Sequence, residues 1–251
     1  MHSYETLAAC YDALMDDVDY DRWSAYFLSL LKSHGAERGE LLDAACGTGA
    51  LTARLFRAGF RVSGLDVSEE MLRVASERLR KQGIRCPLIC RDMALFSLPH
   101  KIDAVVCGCD GVNYLTRDED VRGFFKSAFD ALKDGGVLVF DVSSAQKLRA
   151  MDGQFYAEDR GDVAYIWNNA MENDVLTMDL SFFIRRDDGL YVRSDETHRQ
   201  RAHEASHLCD LLKEAGFSRV DCYGFGEMRP PKDGDDRIAF AAVKGSILDK
   251  E

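Results

Sequence analysis

The chain has 251 residues, of which 46% are hydrophobic and 30% charged. That is the composition of a globular protein, long enough for one large domain or for one domain carrying an insertion. With 43 acidic against 32 basic residues, the net charge of −11 weighs against a nucleic-acid acceptor and against an anionic membrane, both of which call for basic surface. No window approaches the roughly 18 apolar residues of a membrane span. Met1–Asp21, which carries Glu5, Asp12, Asp16, Asp17 and Asp19, lacks the basic start and apolar run of a signal peptide. The eight cysteines show no paired CxxC spacing, so no metal site is expected, and they read as free thiols of a reducing cytoplasm.

Two helices open the chain. Leu7, Tyr11, Leu14 and Met15 share one helical face, as do Trp23, Phe27, Leu30 and Leu31, with Gly35 as a stop. An alternation follows: strand over Glu40–Ala45, helix over Gly47–Ala58, strand over Arg61–Asp66, helix over Ser68–Lys81 with Ser68 as N-cap, and strand over Cys86–Arg91. A fourth strand covers Ile102–Cys109. Thr116 and Glu119 form a capping box for a helix carrying Val121, Phe124, Phe125, Ala128 and Leu132, and Val137–Val142 is a fifth strand. This rhythm predicts βαβ units and a parallel sheet covered on both faces. The rhythm then breaks. Val163–Asn168, Val175–Arg186 and Leu190–His203 read as longer strands, the last two joined by the hairpin signal Asp187-Asp188-Gly189. Helix Glu204–Ala215 and strands Arg219–Gly224 and Arg237–Lys244 close the chain. The expected division is an α/β core over 1–146 and 204–251, with an N-terminal helical lid over 1–35 and an antiparallel β insertion over 147–203.

The most informative segment is Leu41-Leu42-Asp43-Ala44-Ala45-Cys46-Gly47-Thr48-Gly49, a buried strand running into a helix start. Its glycines let backbone amides approach a ligand, and the helix N-terminus suits an anionic group. The next strand ends in Asp66, nineteen positions after Gly47, where a carboxylate can accept both hydroxyls of a ribose. A dinucleotide fingerprint would want a third glycine where Thr52 stands. A nucleoside cofactor is therefore expected, and a merely tight turn is the bland alternative.

These residues resemble the motifs of class I S-adenosylmethionine-dependent methyltransferases. Asp43–Gly49 resembles the first motif, Gly64-Leu-Asp66 through Met71 the second, Arg91-Asp92-Met93 the third, and Leu132-Lys-Asp-Gly-Gly136 the turn into the fifth strand. The similarity runs from about Glu40 to Val142. Tyr11-Asp12-Ala13-Leu14-Met15, Tyr20-Asp-Arg-Trp23, Cys109-Asp-Gly-Val-Asn113-Tyr114, Tyr165-Ile-Trp167 and Asp195-Glu-Thr-His198 narrow it to a branch of small bacterial methyltransferases of unassigned acceptor. The resemblance implies a doubly wound, seven-stranded Rossmann-like sheet of order 3-2-1-4-5-7-6 with the last strand antiparallel. It implies S-adenosylmethionine as cofactor and S-adenosylhomocysteine as product. By this resemblance Asp43 lies near the cofactor's ammonium. Ala45, Gly47 and Gly49 line the methionine end, Asp66 takes the ribose hydroxyls, and Met71, Asp92 and Met93 surround the adenine. The Cys109 backbone lies at the cofactor, and Tyr4, Tyr11 and Trp23 close the pocket.

The acceptor is expected to be a small molecule, methylated at nitrogen, oxygen or a carboxylate. Asp110, Asn113, Tyr114, Trp167 and His198 are its candidate contacts, with Tyr11 and His198 as candidate catalytic groups. Glu196, His198 and Gln200 share one strand face by the period of two; that face is expected to look toward the pocket. Each candidate has a bland reading: Met71 and Trp23 as core, Asp92 as a strand-end cap, Tyr11 as packing, His198 as an exposed strand residue. The insertion is expected to select the acceptor, although its exposed strands would equally suit a homodimer. Two rival functions stay open at this point: a non-catalytic cofactor-binding partner protein and a NAD-type oxidoreductase.

Overall fold

The computed structural model describes residues 19–245; the helix expected around Tyr11 lies outside them. Helix α1 (Tyr20–Ser33) is followed by β1 (Gly39–Ala44), α2 (Ala50–Arg57), β2 (Phe60–Asp66), α3 (Glu69–Lys81), β3 (Leu88–Cys90) and β4 (Ile102–Cys107). After a 3₁₀ turn at Gly111–Tyr114 come α4 (Asp118–Ala131) and β5 (Leu132–Ser143). The remainder is α5 (Ala145–Ala150), β6 (Phe155–Asp159), β7 (Val163–Glu172), β8 (Val175–Arg185), β9 (Tyr191–Arg201), α6 (Ala205–Ala215), β10 (Phe217–Gly224) and β11 (Arg237–Lys244).

The main sheet has the order β3-β2-β1-β4-β5-β11-β10. Strands β1 to β5 pair in parallel, and β11 runs antiparallel between β5 and β10. This is the expected 3-2-1-4-5-7-6 topology. The apolar strands alternate between two cores. Leu42, Val105, Leu138 and Phe140 face α4 and α6, where Phe124, Phe125, Leu208 and Leu212 meet them. Leu41, Ala104, Val137 and Val139 face α1 and α2, against Phe27, Leu30, Leu31 and Leu55. Both faces are covered, so these strands have no polar side to show.

Four antiparallel strands, β6-β7-β8-β9, form a second sheet. It rests on α5 through Ala145 and Leu148, packed with Leu176, Met178 and Ala202. Strand β6 and helix α5 were not foreseen, and β7 runs four residues beyond the expected Asn168. The turn that lets it do so is Asn173-Asp174, with φ of +50° and +60°, the pair of left-handed residues that a two-residue hairpin needs.

Other boundaries moved for local reasons. Strand β3 starts only at Leu88, after Pro87, whose nitrogen has no proton for a ladder. Strand β4 stops at Cys107, because Cys109 and Asp110 both turn left-handed, at φ +55° and +52°. Helix α4 begins after Arg117 without a side-chain cap, so the Thr116–Glu119 box does not form. The Arg117 guanidinium instead forks onto Asp120 at 2.8 and 2.7 Å. No helix among the described residues is long and apolar enough to cross a membrane.

Candidate functional site

The site lies at the carboxyl ends of β1, β2 and β4, where the strand order reverses and an α/β sheet leaves a crevice. Ala45, Gly47 and Gly49 all take positive φ, at +56°, +52° and +76°, which turns the chain sharply into α2. The Asp66 carboxylate fixes this turn. Its Oδ2 accepts the Gly47 amide at 2.8 Å and its Oδ1 the Ser68 amide at 2.9 Å. Each oxygen keeps a lone pair for a further donor. Asp43 sits beneath the turn, 1% exposed, and accepts the Thr52 hydroxyl at 2.6 Å. Burial pushes its carboxyl from the ordinary 3.8 up to about 7; the Thr52 bond opposes that rise and the charge of Asp66 adds to it.

A cavity of about 760 Å³ opens above these residues, a volume suited to a nucleoside-sized ligand. Asp43, Ala45, Gly47, Asp66, Met71, Asp92, Met93 and Cys109 line it on the side of the core motifs. Tyr114 and His198 line it with Glu196 and Thr197 of β9. Asp92 spends Oδ1 on the Ala94 amide at 2.8 Å, so it caps its own turn and also lines the cavity. Burial pushes the Cys109 thiol well up and keeps it protonated.

Tyr114, His198 and Glu196 form a hydrogen-bonded chain across two elements. The His198 Nε2 meets Glu196 Oε2 at 2.9 Å, and its Nδ1 meets the Tyr114 hydroxyl at 3.2 Å. With the Nε2 proton donated to Glu196, Nδ1 is left as the acceptor of the tyrosine proton. The face shared by Glu196, His198 and Gln200 therefore looks inward: Gln200 is buried and donates to Asp110 at 2.6 Å.

Five candidates stand elsewhere. Gly49 lies behind the turn, where a Cβ would come within 3.1 Å of the Ala75 Cβ, so it serves helix packing. Asp110 turns from the cavity to meet Arg237 Nη1 at 2.7 Å and Gln200. Asn113 is fully buried. Its side chain clamps backbone, donating to Ser143 O and Arg201 O at 3.2 and 2.9 Å and accepting the Ser143 amide at 3.0 Å. Trp23 packs edge-on to Phe225, at 5.0 Å between centroids, and under the Arg237 guanidinium at 4.6 Å. Trp167 stays within the second sheet, donating to Asn169 Oδ1 at 2.6 Å and lying against Tyr156. Tyr4 and Tyr11 lie outside the described residues.

The sequence reading missed a buried ionic centre beside the site. Arg237 bonds Asp110, Asp141 and Ser143, which ties β11 to the turn after β4 and to the end of β5. Asp141 is fully buried. Burial pushes its carboxyl up to about 6, against the pull of Arg237, and its Oδ1 has no hydrogen-bond partner. An aspartate inside Val137–Val142 was the available signal, because a charge in an apolar strand needs a buried partner. Tyr20, which also lines the cavity, had no comparable signal.

This fold and crevice define an S-adenosylmethionine-dependent methyltransferase of the Rossmann-like kind. The model of the methyltransferase domain matches residues 41–136. A presumptive methyltransferase of Bacillus subtilis (strain 168), YqeM, is 35% identical over 98% of this chain and 98% of its own. The crystal structure of an S-adenosylmethionine-dependent methyltransferase from Clostridium acetobutylicum ATCC 824 superposes with a TM-score of 0.89 at 31% identity, covering 97% of this chain and 99% of that one. More distant relatives are a dTDP-3-amino-3,4,6-trideoxy-alpha-D-glucopyranose N,N-dimethyltransferase of Streptomyces venezuelae, 31% identical over 80% of this chain and 82% of its own, and a glycine/sarcosine N-methyltransferase of Halorhodospira halochloris, 28% identical over 79% and 72%. The chain belongs to the S-adenosylmethionine-dependent methyltransferase family. Its cofactor is S-adenosylmethionine, and the oxidoreductase reading falls away.

Proposed function

We propose that the cavity binds S-adenosylmethionine on the side of β1 and β2 and a small-molecule acceptor on the side of β4 and β9, with Tyr114 and His198 handling the acceptor's proton. The residues present fit the cofactor. Asp66 keeps lone pairs for ribose hydroxyls, Asp43 offers a carboxylate to the ammonium, and Met71, Asp92 and Met93 suit an adenine. The bound sulfonium supplies an activated methyl group, so the protein's part is to align a lone pair with it and to keep water out.

One observation carries the reading of the acceptor end: the Glu196–His198–Tyr114 chain lines the same cavity as Asp43 and Asp66. Glu196 orients the imidazole, and His198 is placed to receive a proton that an amine or hydroxyl must shed. The segment 147–203 then covers the acceptor, but through β9 rather than through Trp167. The acid-rich composition favours a small molecule over nucleic acid, and seven free thiols among the described residues suit the cytoplasm.

Methyl transfer from labelled S-adenosylmethionine into a cytosolic metabolite extract tests this proposal. Labelling by the wild type that Asp66→Ala loses through cofactor affinity, and His198→Gln loses at unchanged cofactor affinity, is the expected pattern. Full labelling by His198→Gln would remove the proton-handling role.

A further inference from the structure

We infer that the acceptor is a small cationic amine carrying neither carboxylate nor phosphate, drawn in by Glu196 and deprotonated onto the Tyr114–His198 pair. This rests on the cofactor placement proposed above and deepens it.

Charge is the first ground. Glu196 is deep in the cavity wall, its side chain 11% exposed, and its ionic partner is His198. No lysine or arginine pairs with it among the described residues. Its neighbour Asp195 also lines the cavity. Arg117 is the one lysine or arginine among the described lining residues, and its guanidinium is committed to Asp120 and Glu119. Arg193 is committed to Asp195, and Arg201 to Asp118. Residues 1–18 contain no lysine or arginine at all. An acceptor's carboxylate or phosphate would thus enter a negative wall without a counter-ion, whereas a buried anion needs one. The relatives named for glycine and for a dTDP-sugar work on molecules that carry such anions, so this chain departs from both.

Chemistry is the second ground. An ammonium group has no lone pair, and it must lose a proton before it can attack. The chain Glu196–His198–Tyr114 provides the route. The amine's proton passes to the Tyr114 oxygen as the tyrosine's own proton passes to His198 Nδ1, and Glu196 balances the imidazolium. The freed nitrogen lone pair forms the new N–C bond to the methyl carbon as the C–S bond breaks, its electron pair staying on sulfur. The products are the N-methylated ammonium and the thioether. His198, partly exposed, then returns its proton to solvent.

Matched probes separate the possibilities. Binding to the protein saturated with S-adenosylhomocysteine is measured by calorimetry for putrescine against ornithine, which adds a carboxylate, and for glucosamine against glucosamine 6-phosphate. An amine that binds roughly ten-fold or more tighter than its anionic partner supports the inference if Glu196→Gln removes that preference and leaves S-adenosylhomocysteine affinity unchanged. Asp195→Asn, a change at an exposed side chain, should weaken the preference in part and guards against a folding defect in the first variant. Equal or tighter binding of the anionic partners overturns the inference. So does a preference that survives Glu196→Gln, or failure of both amines to bind a protein that holds S-adenosylhomocysteine normally. Failure to hold S-adenosylhomocysteine would overturn the cofactor placement itself, and that result is read before any amine is added.

Discussion

Asp43→Asn should make the free protein more stable and the cofactor complex weaker. Desolvation raises the Asp43 carboxyl from 3.8 to about 7, so the folded state holds its proton more tightly than the unfolded chain. The stability linked to this proton is fully present below about pH 4 and is lost as pH rises through about 7. At about 1.4 kcal/mol per pH unit the full difference is about 4 kcal/mol, and relaxation of the site brings the expected gain to about 1–3 kcal/mol at pH 8. Asparagine keeps the shape and still accepts the Thr52 hydroxyl, so packing is unchanged. For a chain of this size the gain corresponds to roughly 2–10 °C in Tm. Thermal unfolding of both proteins from pH 4 to 8.5, without ligand, should show curves that come together near pH 4 and diverge as pH rises toward about 7, with the variant higher and the gap constant above that. The proposed placement sets the charged Asp43 carboxylate beside the cofactor's ammonium, so wild-type affinity for S-adenosylhomocysteine should rise with pH through about 7 and the variant's should not. A variant less stable at pH 8, or a Tm difference that is flat with pH, would refute the reasoning: the charge would then be structurally useful rather than held against its solvation cost.

Three further outcomes are expected. Asp66→Ala removes the acceptor of the Gly47 and Ser68 amides as well as the one proposed for the ribose, and should weaken S-adenosylhomocysteine binding by about 1–3 kcal/mol in calorimetry, with the far-UV circular dichroism retained. Arg237→Met leaves Asp110 and Asp141 without their cation and should cost about 3–5 kcal/mol of stability by denaturant unfolding. That cost should be smallest in acid, because the Asp141 value near 6 lets the carboxyl take a proton as pH falls through it. His198→Gln should slow methyl transfer by roughly a hundred-fold at neutral pH, with activity recovering as pH rises toward the amine's own deprotonation, a pH profile that a purely structural histidine would not give.

The core of the fold was legible because its determinants are local. Buried strands such as Leu41–Ala44 and Val137–Val142 are apolar on both faces but for one aspartate each, Asp43 and Asp141, and turn glycines punctuate the helices between them. The order of the seven strands came from resemblance of motifs, since periodicity alone names strands and not neighbours. Legibility failed where a residue's role depends on a distant partner. Thr116 and Glu119 have capping-box spacing, but Arg117 takes Asp120 and Arg201 takes the Thr116 carbonyl. Asp110 looks like a substrate contact beside Cys109 until Arg237, 127 positions away, claims it. Trp167 reads as a pocket aromatic by composition, yet its strand presents it to Asn169 and Tyr156 instead.

The same contrast explains why the two ends of the site differ in how readily they are read. The residues proposed to recognise the cofactor lie in two strand-to-helix turns, each continuous in sequence, and a turn of that kind can be recognised wherever it occurs. In the proposed reading, acceptor recognition is assembled from Tyr114 on a 3₁₀ turn and from Glu196 and His198 on a strand more than eighty residues later. What brings them together is a clamp rather than a motif. Asn113 bonds the backbone of Ser143 and Arg201, and Gln200 bonds Asp110. These contacts fix the register of β9 against the turn after β4, and with it the inward face of His198. A one-residue slip of β9 would exchange Glu196 and His198 for Thr197 and Arg199, turning an acidic wall with a proton acceptor into one bearing a guanidinium. The chemistry of the proposed acceptor site is therefore a property of register, held by two buried amide side chains, Asn113 and Gln200, whose bonds run to the protein itself.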